Sequence, residues 1–333
     1  MRAMILRRAR PIEERPLSCC ELADPEPGPG QLRVRVLACG LCHTDLHEVE
    51  GELAVPGLPR VIGHEVIGEV EKLGPGASRF ELGRRVGVPW LHWTCGECEF
   101  CRSGRENLCE SARFTGYDVD GGYAELLIVD EDFAYPIPER FSDANAAPLL
   151  CAGVIGFRAL RLSEVRPGQR LGLFGFGASA HIAIQVAVHW GCEVYVFSRS
   201  EKHRRLAEEL GASWTGTSKE APPAKVDSAV HFAPSGPLTL DALAVLKKGG
   251  TLALASVYMD PIPEMDYDRY LYYERTLRSV TAATRQDAVE ILRLADEIPL
   301  RTEVQLFGLE EANDALLLMK QSKIRGAGVL QVA

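Results

Sequence analysis

Apolar and charged positions alternate with a period of two in Leu32-Arg33-Val34-Arg35-Val36, which predicts a strand over Gln31–Ala38 with one solvated face. Turn residues Pro25, Pro27, Gly28, Pro29 and Gly30 precede it, and Gly57 and Pro59 punctuate the approach to Val61-Ile62-Gly63-His64-Glu65. Val66–Leu73, closed by Gly74-Pro75-Gly76, and Val86–Val88 predict further short strands. The first 150 residues or so thus predict strands and turns without a long helical period.

From about Ala152 the period changes. Leu171–Phe174 is a short apolar run, followed by the glycine turn Gly175–Ala180 and a helical segment to His189 or Trp190, stopped by Gly191. The alternation repeats: strand Glu193–Phe197, helix Glu201–Leu210, strand Val226–Phe232, helix Leu238–Leu246, strand Thr251–Ser256. Strand and helix in strict alternation predict an α/β unit with a doubly wound, mostly parallel sheet. Leu277–Thr281 adds a sixth strand and Arg285–Ala295 a helix leading back toward the first domain. A helix around Glu310–Met319 and a strand Gly328–Val332 complete that first domain. No internal repeat, low-complexity tract or long linker interrupts the pattern, so two closely joined domains with a cleft between them are expected.

Length agrees with this organisation, since 333 residues with 46% hydrophobic positions favour two buried cores over one. A formal net charge of −9, with basic residues scattered, argues against nucleic acid or an anionic membrane surface as partner. Met1–Arg8 lacks the apolar core of a signal peptide, and no run approaches a membrane span, so a soluble, cytoplasmic protein is expected.

Ten cysteines in such a chain point to metal or catalysis before disulfides. Cys95-x₂-Cys98-x₂-Cys101-x₇-Cys109 gathers four thiols in a spacing that closes a tetrahedral thiolate shell around Zn²⁺, leaving no position for substrate; such a zinc is structural. Cys19, Cys20, Cys39 and Cys192 show no ligand spacing and are expected to be ordinary thiols. The densest chemistry lies in Gly40-Leu41-Cys42-His43-Thr44-Asp45-Leu46-His47, but so short a segment does not close a cage by itself. His64 stands in Gly63-His64-Glu65-x₂-Gly68, which lacks the second imidazole of a metallopeptidase motif. Cys42, His64 and the distant Cys151 form a candidate Cys/His/Cys site with an open position, the arrangement a catalytic zinc requires.

Gly175-x-Gly177-x-x-Ala180 is a dinucleotide fingerprint: the first glycine for the tight turn, the second for backbone approach to a pyrophosphate, Ala for helix packing on the strand. It is strong only because a predicted strand precedes it and a helix follows. No carboxylate ends the next strand, where Ser198, Arg199 and Ser200 stand, with Lys202 and His203 nearby. A carboxylate would repel a 2′-phosphate, whereas this group would bind one, so NADP(H) is preferred over NAD.

The combination of Cys42-His43-Thr44-Asp45, Gly63-His64-Glu65, the four-cysteine lobe, Leu150-Cys151-Ala152-Gly153 and the glycine turn resembles the zinc-dependent alcohol dehydrogenases of the medium-chain dehydrogenase/reductase family, over essentially the whole chain. The resemblance implies a GroES-like, β-rich catalytic domain over 1–151 and 285–333 and a Rossmann domain over 152–284. It implies Cys42, His64 and Cys151 as ligands of a catalytic zinc, Glu65 as a carboxylate that approaches the metal, and Asp45 as the residue orienting His64. Thr44 is implied to bond the substrate oxygen, His47 to end a proton relay through the nicotinamide ribose, and Arg325 to reach the cofactor phosphates. His43 is a cofactor-phosphate neighbour or a packing residue, not a ligand. Two zincs per chain and a homodimer or homotetramer follow, with Tyr267–Tyr273 contributing to the contact.

The implied reaction is hydride transfer between a primary alcohol or aldehyde and the nicotinamide. Of Trp90, His92, Trp93, Tyr117 and Ile155, some are expected to line the substrate pocket. Ile155 departs from the small hydroxyl residue common at its place in the family, which warns against copying that contact. A polyol dehydrogenase of the same fold is the runner-up, although those typically carry Glu where Cys151 stands. From another class, a non-catalytic cofactor-binding protein would keep the fold and bind nicotinamide without turnover.

Overall fold

A computed structural model describes residues 1–333. The alternating segment at Leu32 forms the strand Gln31–Gly40, with Leu32, Val34 and Val36 fully buried. Its arginines lie on the other face, where Arg33 pairs with Glu71 at 2.8 Å and Arg35 pairs with Glu69 on the antiparallel strand Glu65–Leu73. This pairing fixes the register that sets Gly40 opposite Glu65. The sheet runs in the order Tyr135–Pro136, Arg85–Val88, Glu65–Leu73, Gln31–Gly40, Ala327–Gln331 and Val304–Gly308, with Leu126–Asp130 also paired to Gln31–Gly40. A smaller sheet holds Leu17–Glu21, Arg2–Leu6 and Arg60–Val61.

By packing, the chain divides into two units, one of Met1–Cys151 with Ala282–Ala333 and the other of Ala152–Thr281. The second is the doubly wound sheet that the alternation predicted. Six parallel strands lie in the order Trp214–Gly216, Glu193–Phe197, Arg170–Phe174, Val226–His231, Leu246–Leu254 and Thr276–Ser279. Its core stacks Phe174 on Phe197, ring centres 4.1 Å apart, above Ala229, Leu243 and Leu252.

The structure departs from the pattern in identifiable places. The stretch read as a strand-rich loop contains a helix, His43–Glu50. Its residues are middling helix formers, and a capping box supplies the start: the Cys42 side chain accepts from the backbone of the first turn, while the Asp45 carboxylate accepts from Cys42 N at 2.7 Å. A second unread helix, Ala152–Leu162, is apolar at most positions, and only Arg158 and Arg161 mark its exposed stripe, too short a polar signal to set its period. Strand Val304–Gly308 escapes for the opposite reason, being half-exposed at the sheet edge with no clear alternation.

Candidate functional site

Strand Gln31–Gly40 delivers Cys42 to the N-terminus of helix His43–Glu50, and the turn before Glu65 delivers His64. Gly63 makes that turn with φ +98°, and a β-carbon there would lie 2.2 Å from the ring of Tyr123. Cys151 follows the short helix Ala147–Leu150. Cys42, His64, Glu65 and Cys151 converge, their ligand atoms all within 4.8 Å of one another.

The distances suit a metal. The sulfurs of Cys42 and Cys151 are 3.6 Å apart. Tetrahedral Zn²⁺ with Zn–S bonds of about 2.3 Å sets its sulfurs about 3.8 Å apart. Asp45 Oδ1 lies 3.1 Å from Nδ1 of His64, which leaves Nε2 for a metal. Its Oδ2 accepts from Cys42 N and, at 3.3 Å, from the hydroxyl of the fully buried Tyr123. Glu65 is 2% exposed, and its Oε2 has no hydrogen-bond partner. That carboxylate occupies the space a side chain at Gly40 would need, with a β-carbon there only 2.0 Å from Oε2.

The charges agree with the distances. The Cys151 thiol, together with His64, holds Cys42 well below the ordinary thiol range, while the same contact and burial push Cys151 up. Burial opposes charge on His64, but Asp45 and Cys42 outweigh it and hold its pKa well above the usual value. Burial, with Cys42 next, pushes Glu65 well up. Two sulfurs, an imidazole and a carboxyl crowd one small buried volume, where the charge of Cys42 helps to raise both Glu65 and Cys151; a divalent cation satisfies such a donor set.

Thr44 and His47 lie on the same helix. The Thr44 hydroxyl is 3.5 Å from the Cys42 sulfur, and Nδ1 of His47 pairs with Glu52 just beyond the helix end. His43 is exposed. Trp90 flanks the group, 4.8 Å from the His64 ring, stacked on Phe114 and against Tyr117. His92 is buried beside Thr115, with its pKa lowered to about 4 by burial and by Arg113. Glu48, Glu52 and Tyr123 carry no ligand spacing; only the fold brings them here.

The four-cysteine lobe closes by the same measure. Cys95 lies 3.8 Å from Cys101 and 3.5 Å from Cys109, and all four ligand atoms fall within 4.8 Å of one another. Backbone N–H groups of Glu97 and Cys98 draw the Cys95 thiol down to about 6, toward the thiolate a zinc needs.

In the parallel sheet, Gly175 turns with φ +83° at the end of Arg170–Phe174, and Gly177 precedes helix Ala178–His189. A β-carbon at Gly177 would meet nothing within 4 Å, and no side chain caps the helix. Exposed space therefore faces the first-turn N–H groups, the fit for a pyrophosphate. Ala180 is fully buried where the helix packs. The next strand ends in the buried Ser198, whose carbonyl and that of Arg199 both accept from Arg204. Arg325, on the other unit, is exposed and pairs with Glu303 at 2.8 Å.

Comparison with known proteins gives the same picture. Residues 28–139 match the alcohol dehydrogenase GroES-like domain, and residues 180–297 match the zinc-binding dehydrogenase domain. A probable alcohol dehydrogenase, AdhA, of Mycobacterium tuberculosis is 44% identical over 100% of this chain and 97% of its own. A crystal structure of an NAD-dependent alcohol dehydrogenase superposes with a TM-score of 0.90 at 28% identity, covering 100% of both chains. The CAD of Helicobacter pylori, complexed with NADP(H), does so with 0.87 at 25% identity over 99% of each chain. The chain belongs to the zinc-type alcohol dehydrogenases of the medium-chain dehydrogenase/reductase family, alcohol oxidoreductases that work with zinc and a nicotinamide cofactor.

Proposed function

We propose that the chain holds two zincs, a catalytic one on Cys42, His64 and Cys151 and a structural one on Cys95, Cys98, Cys101 and Cys109, and interconverts primary alcohols and aldehydes with NADP(H) preferred. The observation that carries the assignment is the contrast between the two groups. Four thiols fill one coordination sphere, whereas two thiols and an imidazole leave a position open beside the Thr44 hydroxyl. The unit Ala152–Thr281 is the nicotinamide domain and the other unit the catalytic one.

Zinc, when bound, supplies a Lewis acid that favours alkoxide over alcohol and polarises a carbonyl, and the nicotinamide supplies the hydride acceptor or donor. The protein's own groups orient and move protons. Asp45 holds Nδ1 of His64 and so fixes its tautomer. Thr44 Oγ1 would accept a hydrogen bond from the substrate hydroxyl and relay the proton by giving up its own as it takes the substrate's, with His47, paired with Glu52, as the outlet to solvent. Trp90 forms an apolar wall beside His64. Glu65, whose carboxylate lies with the three ligand side chains, would be a further oxygen donor to the zinc.

Metal analysis of variants tests the assignment. Wild type should carry two zincs per chain. Cys42→Ser should keep its fold and one zinc while turnover falls roughly 10²–10³-fold, the scale of removing a main electrostatic stabiliser. Cys98→Ser should lose stability first. Unfolding of Cys42→Ser, with activity surviving in Cys98→Ser, would reverse the two sites.

A further inference from the structure

One buried acid beside the site has no task in the mechanism above. Glu48 is 1% exposed, and neither carboxyl oxygen has a hydrogen-bond partner. A buried polar group left so is costly and calls for a partner. It sits one turn beyond Thr44 and Asp45 on helix His43–Glu50, on the same face. Helical side chains lean toward the N-terminus of their helix, so its carboxyl is directed back over Thr44. It is close enough to Asp45, His64, Cys42 and Arg60 that their charges bear on its own, and it also bears on Tyr117, which packs on Trp90. Arg60 does not satisfy it: its terminal nitrogens go to Asp120 and to the carbonyl of Pro56, and its buried Nε also lacks a partner.

We propose that Glu48 is a specificity-determining residue whose carboxyl hydrogen-bonds a second hydroxyl of the substrate, so that the preferred substrates are terminal diols and their hydroxyaldehydes rather than simple alkanols. Cβ atoms four residues apart on a helix are about 5–6 Å apart, which sets the scale of a substrate that reaches both side chains at a chain of about four carbons. One oxygen then lies at Thr44 and the other at Glu48. A hydroxyl suits the place because it both donates and accepts, and so pairs with a carboxyl in either protonation state. The inference rests on the alcohol dehydrogenase reading of the Cys42 group.

The test compares kcat/KM of the zinc-loaded enzyme for 1,4-butanediol and for 1-pentanol, which replaces the second hydroxyl by a methyl group. Calorimetric Kd values for the same pair are measured alongside. Wild type should favour the diol at least tenfold in both measurements. Glu48→Leu should abolish or invert that ratio while turning over 1-pentanol, and Glu48→Gln should keep part of it. A wild-type ratio that favours the alkanol overturns the proposal whether or not any variant folds. So does an unchanged ratio in an active Glu48→Leu enzyme, which would leave the carboxyl a role only in local packing. Absence of turnover on every alcohol by zinc-loaded wild type would instead overturn the underlying reading, and this inference with it.

Discussion

Asp45 does more for the candidate metal site than its position outside the ligand set suggests. One carboxylate oxygen lies against Nδ1 of His64, and the other accepts from Cys42 N and from Tyr123. A single fully buried acid therefore lies against the imidazole whose tautomer it is proposed to set, starts the helix that carries Thr44, and anchors a tyrosine nearly eighty residues away. Asp45→Asn keeps the volume but loses the charge that stabilises a donating His64. Loss of such a partner typically costs 10–100-fold in metal affinity. Competition with a chelator should show that loss for one zinc of two, the other remaining tight; equal retention of both would refute the role. At this scale three members of the converging group were legible in the sequence, because Cys42, His64 and Cys151 each stand in a recognisable local setting. Tyr123, Glu52 and Glu48 were not. A lone tyrosine or glutamate carries no spacing, and its meaning appears only when the fold buries it against the group.

Among elements, the helix His43–Glu50 and the strand-turn-helix at Gly175 show opposite kinds of legibility. The second was readable because its apolar run, glycines and helix each follow from local preference. The first was hidden because its start depends on one cap and its buried face on the rest of the domain, so the stretch read as chemistry without a conformation. The same contrast applies to the proposed preference for NADP(H). Strand Glu193–Phe197 ends at Ser198 with no carboxylate to take the adenosine ribose. Ser200 caps the following helix, and Arg204 braces the Ser198 and Arg199 carbonyls. Arg199 itself is exposed at the rim, where a 2′-phosphate would meet it together with a helix N-terminus. Titration by fluorescence should show NADPH binding at least about tenfold tighter than NADH, with Arg199→Ala erasing most of the difference, as loss of a charge-assisted bond of 1.5–3 kcal/mol requires. Equal or tighter NADH binding that ignores the substitution would sink the preference.

At the scale of the molecule, the change from period two to alternating strand and helix was enough to give the fold class, and the structure adds a liability that periodicity does not reveal. Each unit buries a histidine that resists protonation. His92 lies in the first and His231 in the second, at the carboxyl end of a central strand, where it is fully buried with neither ring nitrogen partnered. Burial lowers both to about 4 from an ordinary 6.5, with Arg113 adding to the shift of His92. Both groups are neutral, folded or unfolded, above pH 6.5, so neither makes stability depend on pH there. As pH falls from 6.5 toward 4 the unfolded chain takes up protons that the folded chain refuses, and stability drops through that window by on the order of 3 kcal/mol for each histidine. His231→Leu removes one of these terms and also an unsatisfied polar group, itself worth roughly 1–3 kcal/mol. Denaturant unfolding should therefore find the variant as stable as wild type or more so at pH 7.5, with an advantage that widens steadily toward pH 4.5. Zinc loss at low pH affects both proteins alike, so it is the difference between them that carries the result. An advantage that stays constant with pH would mean that His231 titrates in the fold as it does in the unfolded chain, as only a solvent-reached imidazole would, contrary to its burial.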